Sequence, residues 1–358
     1  MLVSLEPRPQ PSRLMRYCSP LLASLLMLVS GLIIFTLLGK DPGQAFHAFF
    51  IEPVNDLYGI GELFIKASPL MLIGTGLAVG FRGSIWNIGA EGQLTLGAIF
   101  GGCVAIWLQH SDGWFVLPLM LAAGAAGGML WAAIPAFLRT RFNANEILVS
   151  LMLNYVAILL LAMLVHGPLR DPDGYGFPQS ILFADSAMLP ILVEGTRLHY
   201  GVLLALGGVL LGWILLEKSF IGYQIQVAGL ARRAATYAGF SHRRLVWIGL
   251  LCGGLAAGLA GVMEIAGPIG QLIDSVSPGY GYAAIIVAFV GRLHPGGILL
   301  SSLLMALLYL GGESGQINLD LPSAVTGIFQ GMLLFYLLAA DFLINYRLRL
   351  GRVSREDA

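Results

Sequence analysis

A chain can cross the hydrocarbon of a bilayer only as a helix or a closed barrel, and a helix needs roughly 20 mostly apolar residues to do so. Ten runs in this sequence meet or approach that requirement: 17–38, 62–81, 93–109, 114–138, 146–165, 200–217, 245–266, 280–291, 297–311 and 322–343. They leave little polar surface, for 57% of the 358 residues are apolar and 11% charged, against about a quarter charged in soluble domains. A water-soluble globule is excluded. So are a disordered chain, which needs low hydrophobicity, a collagen, because the 47 glycines follow no period, and a disulfide scaffold, because Cys18, Cys103 and Cys252 lie far apart inside apolar runs. The expected fold is an all-α polytopic membrane protein with about ten transmembrane helices. The run 280–291 is too short for a full crossing and reads as a half-buried helix shielded by neighbours.

Charge distribution orients the spans. The first run is too long for a signal peptide's apolar region and has no small-residue cleavage site after it, so it is expected to remain as a helix. Ten spans put both termini on one side. Placing them in the cytoplasm assigns sixteen of the twenty basic residues there, from Arg8 to Arg355. Lys40, Arg170 and Arg197 remain outside. That asymmetry obeys the positive-inside rule. Lys66 lies inside the second run, four residues after Glu62, where a snorkelling pair at the outer interface is expected. The net charge of zero provides no global field to attract nucleic acid, and no nucleic-acid partner is expected.

The organisation is then a cytoplasmic tail over 1–16, a membrane domain over 17–343 and a second cytoplasmic tail over 344–358. An outer connection, 166–199, is rich in proline and glycine and is expected to be irregular and exposed. A cytoplasmic loop spans 218–244. Spans two to five and seven to ten are two sets of four running in opposite senses, the arithmetic of an inverted repeat, although no sequence repeat links them.

Known catalytic patterns are missing from the sequence. None of the lysines ends a glycine-rich phosphate loop, no histidine begins His-Glu-x-x-His, and there is no Gly-x-Ser-x-Gly or Cys-x-x-Cys. The chain is not expected to be an enzyme, to hold a metal or to carry a cofactor.

Three polar clusters interrupt the apolar runs, where polar groups are costly and tend to face a bundle interior or a wet cavity. In the first, Arg82–Gln93, Asn87 and Glu91 are four apart and Gln93 follows among glycines. It reads either as the lining of a solute route or as a turn with Glu91 favourable in a helix's first turn. In the second, Glu146, Ser150 and Asn154 recur at four-residue spacing beneath Asn145, a helix cap. Helix-to-helix hydrogen bonding and a wet path are equal readings of that stripe. In the third, Gly254-x-x-x-Gly258 predicts tight helix packing, with Glu264 near the outer end as a lesser route candidate.

Within the cytoplasmic loop, 230–238 lacks proline and glycine, is rich in alanine and ends at Gly239, so a short helix parallel to the membrane is expected. Ala231, Ala234, Ala235 and Ala238 would form a small-residue face, with Arg232 and Arg233 supplying charge. Nine residues are marginal alone. Another protein or anionic lipid would serve equally as the partner.

Several motifs together resemble the permease subunits of bacterial ABC importers for nucleosides and simple sugars: Trp86–Gln93, Asn145-Glu146 with Leu151–Tyr155, Gly167–Pro172, Ala234–Gly239, Ser277–Gly281 and Gly291–Pro295. The likeness runs in order over about residues 15–345. It implies a multi-pass protein of the bacterial cytoplasmic (inner) membrane that works with a second homologous permease subunit. It also implies a cytoplasmic ATPase holding ATP and Mg, and an extracytoplasmic solute-binding lipoprotein. By the same resemblance, 230–239 is the coupling helix received by the ATPase, involving Arg232, Arg233, Ala234, Ala235, Tyr237, Ala238 and Gly239. Relatives usually carry Asn-Pro where this chain has Gly229–Arg233. The route residues expected are Asn87, Glu91, Gln93, Glu146, Ser150, Asn154 and Glu264. The resemblance leans toward a purine nucleoside as solute, with a simple sugar next. Rival readings are an ion-coupled transporter using Glu91, Glu146 and Glu264 as proton carriers, and a passive channel or scaffold.

Overall fold

The computed structural model describes residues 2–7, 13–174 and 176–351. Arg8, Arg352 and Arg355 of the charge count, and parts of both tails, lie outside the described residues. In chain order the elements are β1 (Leu2–Pro7), α1 (Arg13–Leu37), α2 (Pro42–Phe46), α3 (Leu57–Arg82), α4 (Ala90–Trp107), α5 (Val116–Phe142) and α6 (Glu146–His166). There follow α7 (Gly201–Trp213), α8 (Phe220–Leu230), α9 (Arg232–Tyr237), α10 (His242–Glu264), α11 (Tyr280–Val290), α12 (Pro295–Leu319), α13 (Ala324–Asn345) and β2 (Tyr346–Gly351).

Each of the ten apolar runs coincides with a helix. Eight are long and apolar enough to cross a membrane. The ninth, α4, has 18 residues, with Glu91 and Gln93 lowering the hydropathy of its first turn. The tenth, α11, has 11 residues, about 16 Å of helix at 1.5 Å per residue, which is half a crossing.

The chain divides into two compact units, 1–53 with 308–358 and 54–307. In the first, α1 packs along α13. Ser19 Oγ donates to Asp341 Oδ1 at 2.9 Å, the Ser30 and Tyr336 hydroxyls share a bond of 2.6 Å, and Phe49 stacks on Phe329 with ring centres 4.8 Å apart. Within the described part of the two tails, β1 and β2 pair antiparallel from Leu2↔Gly351 to Pro7↔Tyr346. The short helix α2 also escapes the apolar count. Asp41 caps it by accepting from Gln44 N at 2.8 Å, and Pro42 starts it.

In the second unit α3, α4 and α10 are largely buried, α3 and α4 each packing on α10; α5 packs on α4 and α10, and α11 on α3 and α4. The expected close packing at Gly254 and Gly258 is present. A Cβ on Gly258 would lie 3.1 Å from Gly128 Cα, and one on Gly254 would lie 2.6 Å from Ala132 Cβ, so α10 meets α5 nearly backbone to backbone.

The outer connection 166–199 is irregular, as its prolines dictate, but much of it is not exposed. Ser180 N donates to Leu272 O at 2.8 Å, Phe183 N to Gly270 O at 2.9 Å and Leu189 N to Ala266 O at 2.7 Å. Ser180, Ala187 and Leu189 are buried. The segment folds back on the stretch after α10, whose own free backbone groups supply the partners that water would otherwise supply.

Candidate transport site and coupling elements

Residues 85–89 form no helix between α3 and α4. Asn87 therefore precedes α4 and does not share a helix face with Glu91, contrary to the spacing argument. Its side chain makes a two-bond amide pair with Gln93: Asn87 Nδ2 donates to Gln93 Oε1 at 2.9 Å and Gln93 Nε2 to Asn87 Oδ1 at 3.0 Å. Both residues are buried. Asn87 Oδ1 also accepts from Gly89 N at 3.0 Å.

Helix α4 begins at Gly89 without a side-chain cap of its own. Asn154, on α6, supplies one: its Oδ1 accepts from Gly92 N at 2.9 Å, while its Nδ2 donates to Ile88 O at 2.9 Å and Tyr282 Oη at 3.1 Å. One turn earlier on α6, Ser150 Oγ accepts from Ile88 N at 3.2 Å. The four-residue polar stripe thus faces into the chain and bonds the uncapped start of α4. Glu146 belongs to the same buried face, which continues through Ala157, Leu161 and Val165. It lies at the start of α6, where Asn145 Oδ1 caps the helix by accepting from Ile147 N at 2.9 Å, and Glu146 itself pairs with Arg139 Nε at 3.2 Å.

Glu91 repeats the arrangement one step further. Its Oε2 accepts from Gly281 N at 2.7 Å, and the Ser277 side chain and the backbone at Gly279 and Tyr282 also bond its carboxyl group. These are the first turn of α11 and the residues before it, so a carboxylate on α4 occupies the positive end of the half-span. Gly281 permits the approach, since a Cβ there would lie 2.6 Å from Glu91 Cα and 2.7 Å from Ala90 C. Neither Tyr282 nor Ser277 follows from the polar spacing within the apolar runs. Nothing in spacing alone joins positions 91 and 281.

Glu264 is not at this level. Asn87 Nδ2 would meet a Cβ on Gly253, and Glu264 is eleven residues further along α10, about 16 Å. It is 6% exposed and ends the helix before a wide turn at Ile265–Ile269. Glu62 meets Arg197 Nε at 3.6 Å, a pairing that the four-residue Glu62–Lys66 spacing does not predict. Nearby, His199 is buried outside the spans. Its Nδ1 accepts from Gly201 N at 3.2 Å, and burial, with a smaller contribution from the Arg197 charge, holds its pKa down at about 4.

The loop 218–244 contains two helices where one is expected. Ser219 caps α8, accepting from Gly222 N at 3.0 Å, and the chain breaks at Ala231 before α9. Gly239 ends α9 as predicted, at φ +82, with Phe240 N donating to Ala235 O at 2.9 Å and Gly239 N to Thr236 O at 3.0 Å. Of the small-residue face only Ala235 is buried. Arg232, Arg233, Ala234 and Ala238 are exposed, and Tyr237 is 96% exposed.

Comparison with known proteins gives these features a context. Residues 59–338 match the family model described as branched-chain amino acid transport system / permease component. The chain is 34% identical to the glucose ABC transporter permease protein TsgB13 of Haloferax volcanii over 355 residues, covering 96% of this chain and 93% of the relative. It is 30% identical to the guanosine ABC transporter permease protein NupP of Bacillus subtilis, covering 97% and 99%. With the nucleoside ABC transporter permease protein NupB of Lactococcus lactis the identity is 26%, over 92% of each chain. A family match across most of the ten apolar runs, together with near full-length identity of 30% and above, establishes that this multi-pass membrane protein belongs to the branched-chain amino acid transport system permease family.

Proposed function

We propose that the chain is the permease subunit of an ABC importer of the cytoplasmic membrane, moving nucleosides, a purine nucleoside first among them, by alternating access. The observation that carries this reading is the near full-length likeness to ABC permeases for guanosine and other nucleosides. A simple sugar is the second reading, favoured by the 34% identity to a glucose permease. ATP and Mg belong to a partner ATPase, a second homologous permease completes the pathway, and an outer lipoprotein delivers solute. Both termini and the loop 218–244 face the cytoplasm, consistent with the basic residues concentrated there and with the pairing of the two terminal strands.

In this reading α9 is the coupling helix. A six-residue helix with one buried side chain and a large exposed tyrosine is marginal alone and gains stability from a partner's groove. The route is framed by Asn87, Glu91, Gln93, Glu146, Ser150 and Asn154, with Glu264 further out. Affinity for solute differs between the two end states because these groups exchange bonds within the chain for bonds to solute. Co-purification from membranes tests the reading: a stoichiometric ATPase and second permease are expected, whereas purification of this chain alone, in a state that transports, would overturn it. Asn87→Ala and Asn154→Ala test the route, for wild-type uptake rate and selectivity in both would remove those assignments.

A further inference from the structure

Arg82, at the last position of α3, reaches two elements at once. Its Nη1 is 2.7 Å from Glu217 Oε1, in the wide turn Ile214–Lys218 that opens the cytoplasmic loop. Its Nε donates at 2.9 Å to Leu293 O, in the left-handed turn Arg292-Leu293 after α11. A cation there also suits the negative end of α11. The other end of α11 is held by Glu91, as described above. The two residues gripping the half-span therefore lie on either side of one short non-helical segment, 83–89, with only Ala90 between it and Glu91.

That segment is fitted against the loop. A Cβ on Gly229 of α8 would overlap Arg82 O, and Ser84, at φ +56, donates from Oγ to Gly229 O at 3.3 Å. From the other side, a Cβ on Gly249 of α10 would lie 2.9 Å from Gly80 Cα. The end of α3 is thus clamped between the two helices that bracket α9. Packing this close transmits displacement rather than absorbing it.

We propose that Arg82 is a positioning residue that ties the cytoplasmic loop to the half-span α11, so that movement of α8 and α9 is delivered to both ends of α11 through Arg82 and the 83–89 segment. The guanidinium is needed for its shape. It engages a carboxylate and a backbone carbonyl on separate elements through different nitrogens, a geometry that a single ammonium does not reproduce. This rests on the importer reading.

The test uses the assembled transporter in vesicles, with Arg82→Lys, which keeps the charge, and Glu217→Gln, which changes only the half-exposed partner. ATP hydrolysis, solute uptake and amide hydrogen exchange over 281–290, with and without a non-hydrolysable ATP analogue, are measured together. Arg82→Lys is expected to hydrolyse ATP within about twofold of wild type while uptake falls about tenfold, the range of a typical coupling free energy. The nucleotide-dependent change in exchange at α11 is expected to vanish. Glu217→Gln is expected to shift the same readouts in the same direction and serves alone if the lysine variant does not assemble. Uptake near wild type with the exchange change intact, or uptake and hydrolysis falling in proportion, would overturn the proposal. A wild-type complex that takes up no solute with ATP would instead remove the importer reading.

Discussion

Asn154 and Glu91 each place a polar side chain at the start of a helix other than their own, and this explains how polar groups persist in so apolar a chain. Removing Asn154 leaves Gly92 N–H and Ile88 C=O without their buried partners, at a cost of about 1–3 kcal/mol for such a group. Asn154→Leu is accordingly expected to unfold several degrees earlier than wild type in a detergent thermal scan, even though leucine suits the membrane. Gly281→Ala is expected to lose about 1–3 kcal/mol by overpacking, since its methyl would press on the Glu91 backbone. Gly207→Ala, with nothing within 4 Å, is the control and should be neutral. His199 adds a pH dependence. Its pKa is held at about 4 in the folded chain against about 6.5 unfolded, so the unfolded state takes up a proton first as the solution is acidified. The associated stability is present above pH 6.5 and lost progressively between 6.5 and 4, up to about 3 kcal/mol. His199→Asn, which keeps an acceptor for Gly201 N, is expected to flatten that part of a stability-versus-pH curve.

Elements were legible in the sequence where one periodicity governed them. The ten runs, the Asn145 cap, the Gly239 stop and the Gly254–Gly258 contact follow from local rules about apolar length, capping and small residues. Helix-to-helix bonding by the Asn154 stripe was one legible reading, but the partner helices were not legible, because Asn154 to α4 and Glu91 to α11 are joined by tertiary position alone. The break at Ala231 was missed because alanine carries a strong helix propensity, while the backbone turns there to start α9. The outer connection was read as exposed from its prolines, yet the free backbone groups after α10 draw it inward. At the same scale, α9 makes a separable prediction. Tyr237→Ala removes a side chain that is 96% exposed, so stability should change by less than about 0.5 kcal/mol. Retention of the ATPase through a pull-down wash is expected to fall. Equal retention would show that the partner does not use this helix.

At the scale of the whole molecule, the buried polar side chains Asn87, Gln93, Asn154 and Glu91 bond to one another and to the starts of α4 and α11, and the small helix α9 stands exposed. The starts of α4 and of the half-span α11 meet at Glu91, which fits the proposed alternation between two arrangements. The direct measurement is solute uptake into sealed vesicles containing either the purified chain alone or the chain with its ATPase and second permease. Accumulation only in the complete assembly, and only with hydrolysable ATP, is the result predicted. Accumulation by the chain alone, driven by an ion gradient, would contradict it.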